Sequence, residues 1–184
     1  MEIKISVDTR QVKRALKELG TRAPQAMMRA LNRTARTART QAVRAVAKEI
    51  RLPQKDIRPM LPVIPATSKH LEAQLVARGR PISLMRLGAR QTKLGVIYRG
   101  PGGGPILVRS AFIARMPRAK RPSVWRRKGN PRLPIERLTA SSVPSIVLER
   151  GIFESLRQSS RETLAKNLAH ETENLLRQSG SRRG

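Results

Sequence analysis

Residues with the side chains for catalysis are few and scattered in this 184-residue chain. Its two histidines, His70 and His170, are 100 positions apart, and neither lies in an HxxxH or HExxH pattern. Glu171 and Glu173 follow His170 closely, but neighbours two apart on a helix point to different faces, so they form no ligand set. With no cysteine, the chain has no thiolate nucleophile, disulfide or Cys-based metal site. Asp8, Asp56, Glu72 and Glu136 are dispersed, and spacing alone pairs no two of them for acid–base or two-metal chemistry. The run GPGGGP at 100–105 lacks GxGxxG and GK[ST] spacing, and Pro101 and Pro105 remove amides a phosphate would need; it reads as a loop. These readings predict a protein with no enzymatic activity, cofactor or metal.

The chemistry the sequence does offer is cationic. Lys and Arg number 39 against 12 Asp and Glu, a formal charge of +27. Residues 51–150 hold 21 basic against 4 acidic residues, whereas residues 151–184 hold 6 and 4, so the charge belongs to the body of the chain and not to a tail. Such an excess exceeds the needs of solubility and points to polyanionic partners. Arg115, Arg118, Lys120, Arg121, Arg126, Arg127, Lys128 and Arg132 are the candidate contacts to phosphate or to an acidic partner, the alternative being a solvated charged surface. Arginine outnumbers lysine among them, which suits bidentate contacts. Phe112, Phe153, Trp125 and Tyr98 are the only aromatics, too few for a base-stacking platform, so any nucleic-acid contact is to the backbone. Phe112, Met116, Trp125, Leu133 and Ile135 are candidate fold or interface anchors; for Trp125, hairpin core and interface both remain open.

Elements must hold these groups in place. Asp8 can cap a short helix to Leu19. A long helix is expected from Pro24 to Ile50, with Met27, Leu31, Ala35, Ala38, Ala42, Val46 and Ile50 on its buried stripe and arginines on the other faces. Those arginines repel one another at helical spacing, a cost that an anionic surface would relieve. Pro53, Pro59, Pro62 and Pro65 predict an extended connection over 51–67. Strands are expected in HLEAQLVAR, around Ile82 and Leu84, in KLGVIYRG with Leu94, Val96 and Tyr98 on one side, and in ILVRSAFIARM. A hairpin is expected to turn at Lys128–Pro131. A closing helix runs from Val143 past Gly151, a tolerated weak point, to Gly180, its stripe including Val147, Ile152, Leu156, Leu164, Leu168 and Leu175. The order predicts one α+β domain over 1–184: a helical arm (1–50), a proline-interrupted and mostly antiparallel strand region with basic loops (51–142), and a C-terminal helix (143–179). No signal peptide or membrane-spanning run is read in the sequence, and no membrane partner is expected.

The ordered segments AMMRALNRTARTARTQAVRAVAKEI, ISLMRLGARQTKLGVIYRG, GGGPILVRSAFIARM and VWRRKGNPRLPIERLTASSVPSIV, with the closing helix, resemble the phage minor tail protein Z family. The resemblance spans almost the whole chain, and AFIARM and VWRRKGNPRLPIERL are its most specific parts. It implies a non-enzymatic virion protein that acts late in tail assembly, at the tail top or neck, after synthesis in the host cytoplasm. Its implied partners are tail-terminator, tail-tube or head–tail connector proteins, with a homo-oligomeric ring and nonspecific contact to phage DNA. The charge alone leaves a second reading, a free nucleic-acid-binding or packaging-associated basic protein.

Overall fold

The computed structural model describes residues 2–6, 23–117, 119–129 and 131–180. The helix expected over 8–19 lies outside them. Two long helices, α1 (Ala23–Ile50) and the C-terminal α4 (Ile152–Gly180), bracket small antiparallel sheets in chain order, an α+β architecture as the sequence predicts. α1 starts one residue before Pro24, and all seven stripe positions named above are buried. Its alanines let neighbours approach closely, and α4 lies antiparallel along it: Ser159 Oγ donates to Gln41 Oε1 (2.9 Å) and Asn167 Nδ2 to Thr34 Oγ1 (2.9 Å).

The core divides along α1. Its C-terminal half, Ala38–Ile50, packs with Ile57, Leu61, Leu75, Val96, Ala111, Val124, Val143, Val147 and Leu156. Its N-terminal half, Ala23–Ala35, packs with Ala66, Ala73, Leu164 and Leu168. Almost every member is aliphatic, in keeping with the low aromatic content.

Residues 51–67 correct the expectation of an extended connection. Pro53 precedes a single turn, α2 (Gln54–Ile57), and a 3-10 turn at Arg58–Met60 follows, so that Ile57 and Leu61 reach the core. Proline is compatible with a helix's first turn, which is why the prolines shape this segment rather than exclude helix. Farther on, Asn32 fastens the connection to α1 with two hydrogen bonds to the Ala66 backbone, donating to its O (3.0 Å) and accepting from its N–H (2.7 Å).

The first sheet has the order β1–β3–β2: β1 (Glu2–Ser6), β2 (Val63–Ile64) and β3 (Gln74–Arg78). β1 is an addition to the expected strands. In β3 the expected alternation gives way to Leu75, Val76 and Ala77 all buried, the signature of a strand covered on both faces. A two-stranded ladder joins β4 (Ile82–Ser83) to β11 (Thr139–Ala140); Leu84–Leu87 is a 3-10 turn, not strand.

Two three-stranded sheets complete the fold: β5 (Arg90–Thr92), β6 (Gly95–Arg99) and β7 (Pro105–Arg109), then β10 (Ile135–Arg137), β9 (Ser123–Arg127) and β8 (Ala111–Ala114). The expected single run to Met116 is broken at Ser110, whose left-handed backbone (φ 57°) turns β7 into β8. Gln91 joins the sheets. Its Oε1 accepts from the Ile113 N–H (2.8 Å) and its Nε2 donates to the Ala111 carbonyl (3.3 Å), standing in for a missing strand partner. Of the three residues expected on one side of β6, Val96 and Tyr98 pack on the core, but Leu94 sits in the preceding turn and is 65% exposed. The closing helix is interrupted. α3 (Val143–Glu149) ends where Gly151 adopts φ 64°, a conformation that α-helix excludes, and α4 begins next.

Candidate functional site

No acidic residue occurs between Glu72 and Glu136, an interval that holds 15 Arg and Lys. Like charges so concentrated can be neutralised only by acids elsewhere in the fold or by another molecule. Within that interval Arg86 pairs with Asp56 (3.2 Å), and Arg126 with Glu136.

The candidate contacts therefore separate. Arg126 and Glu136 are direct cross-strand partners, and the guanidinium places Nη2 at 2.6 Å and Nε at 3.0 Å from one carboxylate oxygen. Arg126 is occupied within the fold. Arg115, Lys120 and Arg121 are exposed in the segment between β8 and β9, where Arg115 Nε donates to the Ala119 carbonyl (3.2 Å). Lys128 and Arg132 are exposed in the connection between β9 and β10. Arg127 is exposed, with its guanidinium carbon 5.8 Å from the centroid of the Phe112 ring, within cation–π range. Arg118 lies outside the described residues.

The candidate anchors group in a way the sequence does not specify. Phe112 is paired directly with Trp125, Trp125 with Arg137, and Arg127 with Ile135, so the aromatic pair, Ile135 and both arginines share one sheet face. The opposite face carries Ala111, Ile113 and Val124, which pack on the core. Phe112, Trp125 and Ile135 are therefore half-buried on the face turned away from it. Trp125 Nε1 donates to the Ala114 carbonyl (3.1 Å), which fixes the indole against β8. Met116 is half-buried just past β8, and Leu133 is 66% exposed.

The sequence sets Arg29, Arg33, Arg36, Arg44 and Lys48 on the outer faces of α1, where an anionic surface would relieve their mutual repulsion, although they are not among the candidate contacts. All five are exposed on the face of α1 away from its packed stripe, and no acidic residue lies between Glu18 and Glu49. At 1.5 Å per residue this row is about 28 Å long. The longer acid-free interval likewise supplies exposed Arg90, Arg99 and Arg109. The signal for both sets is the spacing between acidic residues, which carries more information here than the position of any single base.

Several described carboxylates pair within the fold. Glu49 receives Arg150 Nε (3.0 Å) in a cleft beside Glu149 and Arg99. Among the described residues no three or more of His, Asp and Glu come together in a way that could hold a metal ion. Nor is any described helix long and apolar enough to cross a membrane.

An α+β body with an arginine-rich, acid-poor exterior and apolar side chains on outward sheet faces has the makings of a component of a larger assembly. The family model described as Prophage minor tail protein Z (GPZ) matches residues 9–182, nearly the full chain, and the protein belongs to that family of phage tail structural proteins. Comparison with curated proteins and with solved structures finds no match.

Proposed function

We propose that this protein completes the phage tail and takes part in head–tail joining, as a single-domain, non-enzymatic component of the tail top or neck that touches DNA through phosphates alone. Membership in the tail family supports the setting. The observation that carries the DNA contact is the acid-free interval, with Arg115, Lys120, Arg121, Lys128 and Arg132 exposed and without carboxylate partners among the described residues. Contacts of this kind bind any sequence and weaken steeply with salt. A homo-oligomeric ring around the channel, bordered by tail-terminator, tail-tube or connector subunits, would bring many copies of that surface to one DNA.

Deletion of the gene followed by electron microscopy is the direct test, and finished tails should accumulate without joining to heads. Normal particles would refute the role. The phosphate contact has its own assay. Lys120→Glu/Arg121→Glu/Lys128→Glu should weaken duplex binding at least about tenfold near 0.1 M salt and flatten its salt dependence, whereas Arg126→Gln should leave DNA affinity unchanged. Equal losses in both variants would overturn the assignment of contacts.

A further inference from the structure

We propose that the outer edge of β7, with the outward face of the β5–β6–β7 sheet, captures an extended acidic segment of a partner protein by strand addition. This surface is separate from the basic loops assigned to DNA, and the inference stands whether or not those loops meet phosphate.

The hydrogen-bond pattern defines the edge. The Ser110 N–H donates to Leu94 O (3.1 Å) and the Gly100 N–H to Gly104 O (2.8 Å), bracketing the β6–β7 ladder. Antiparallel pairs alternate between bonded and non-bonded, so Val96–Val108 and Tyr98–Ile106 are the bonded pairs. The N–H and C=O groups of Leu107 and Arg109, and the Pro105 carbonyl, therefore point away from β6. The sheet ends at β7, and no described element pairs with that side.

Side chains around the edge specify what could bind it. Arg90, Ile97 and Leu107 form one row across the three strands, with Arg99 and Pro105 on one side of it and Arg109 on the other, all on the same face. The opposite face carries Val96, Tyr98 and Val108 into the core. On the outward face Ile97 is 37% and Leu107 38% exposed, an apolar pair within an arginine rim. None of Arg90, Arg99 and Arg109 has a carboxylate partner among the described residues.

Three occupants compete for such an edge. A second copy would bring the same arginines against their own kind on a chain of charge +27. Nucleic acid gains nothing from Ile97 and Leu107 and cannot continue a peptide ladder. An extended segment with an apolar residue flanked by acidic ones two positions away on either side satisfies every feature: its backbone continues the ladder, and side chains two apart share one face, so the apolar one covers Leu107 beside Ile97 while the carboxylates meet the rim. Pro105 and Arg109 at the ends of the strand limit uncontrolled pairing, as natural edge strands do.

Amide hydrogen exchange on the full chain tests this, with three probes: a short capped peptide of the pattern Glu-Thr-Val-Thr-Glu (the Glu–Val peptide), its Lys–Val counterpart, and oligodeoxythymidylate. The Glu–Val peptide should slow exchange at Leu107 and Arg109 at least about tenfold, and the other two should not. Leu107→Pro, which removes an outward N–H, should abolish that protection. Arg99→Glu/Arg109→Glu, which keeps the edge amides, should weaken Glu–Val binding at least about tenfold. No protection by the acidic peptide, equal protection by the basic peptide or the DNA, or protection that grows with protein concentration alone would each overturn the proposal.

Discussion

Thr34 shows how one polar side chain can set the register of two long helices. It is buried, donates to the Ala30 carbonyl (2.8 Å) and accepts from Asn167. Thr34→Val should destabilise the protein by about 1–3 kcal/mol, because it strands the half-buried Asn167 amide; the double variant Thr34→Val/Asn167→Leu should recover part of that loss. Denaturant unfolding of the three variants checks the cycle, and full additivity would contradict it. Gly95 acts through shape. Its φ of 151° is rarely open to other residues, and a Cβ there would run into the Val108 carbonyl. Gly95→Ala should cost about 2 kcal/mol or more and selectively loosen β7, read as faster amide exchange at Ile106 and Val108.

At the scale of elements, periodicity decides what can be read in advance. α1 is legible to within a residue because its apolar positions recur at helical spacing for the length of the helix and a proline opens it. The hairpin of β9 and β10 is legible from its turn residues. β1 alternates Ile3 and Ile5 with polar neighbours, but its existence depends on pairing with β3 some seventy residues away, which local pattern does not encode. The charge of the candidate site is plain in the composition, whereas the occupied state of Arg126 and the sharing of one face by Phe112 and Trp125 depend on strand register. Gly151 fits a continuous helix in pattern, yet it separates α3 from α4. A Cβ at Gly151 would meet nothing within 4 Å, so Gly151→Ala tests backbone strain alone. It should lower stability by about 1–2 kcal/mol without changing helix content by circular dichroism; a stabilised variant would show that the two helices prefer to fuse.

For the whole molecule, self-repulsion is the dominant electrostatic fact. Basic residues number 39 against 12 acids, so screening should stabilise the fold. The melting temperature should rise between about 0.02 and 0.3 M sodium chloride, over which the Debye length falls severalfold, and rise further with a polyanion such as heparin that binds the native surface. A melting temperature that falls with added salt would mean that internal ion pairs outweigh repulsion.

The division of the core along α1 also gives the protein an electrical direction. Glu162, Glu171 and Glu173 lie on the part of α4 that runs alongside and beyond the N-terminal half of α1, while the acid-free strands from β4 to β9 pack toward its C-terminal half. Among the described residues positive charge is thus displaced toward one end of a helix about 42 Å long, giving that part of the molecule a dipole along the helix axis. Near a strongly negative object such a molecule experiences a torque as well as attraction, and it turns its sheets forward before any side chain makes contact.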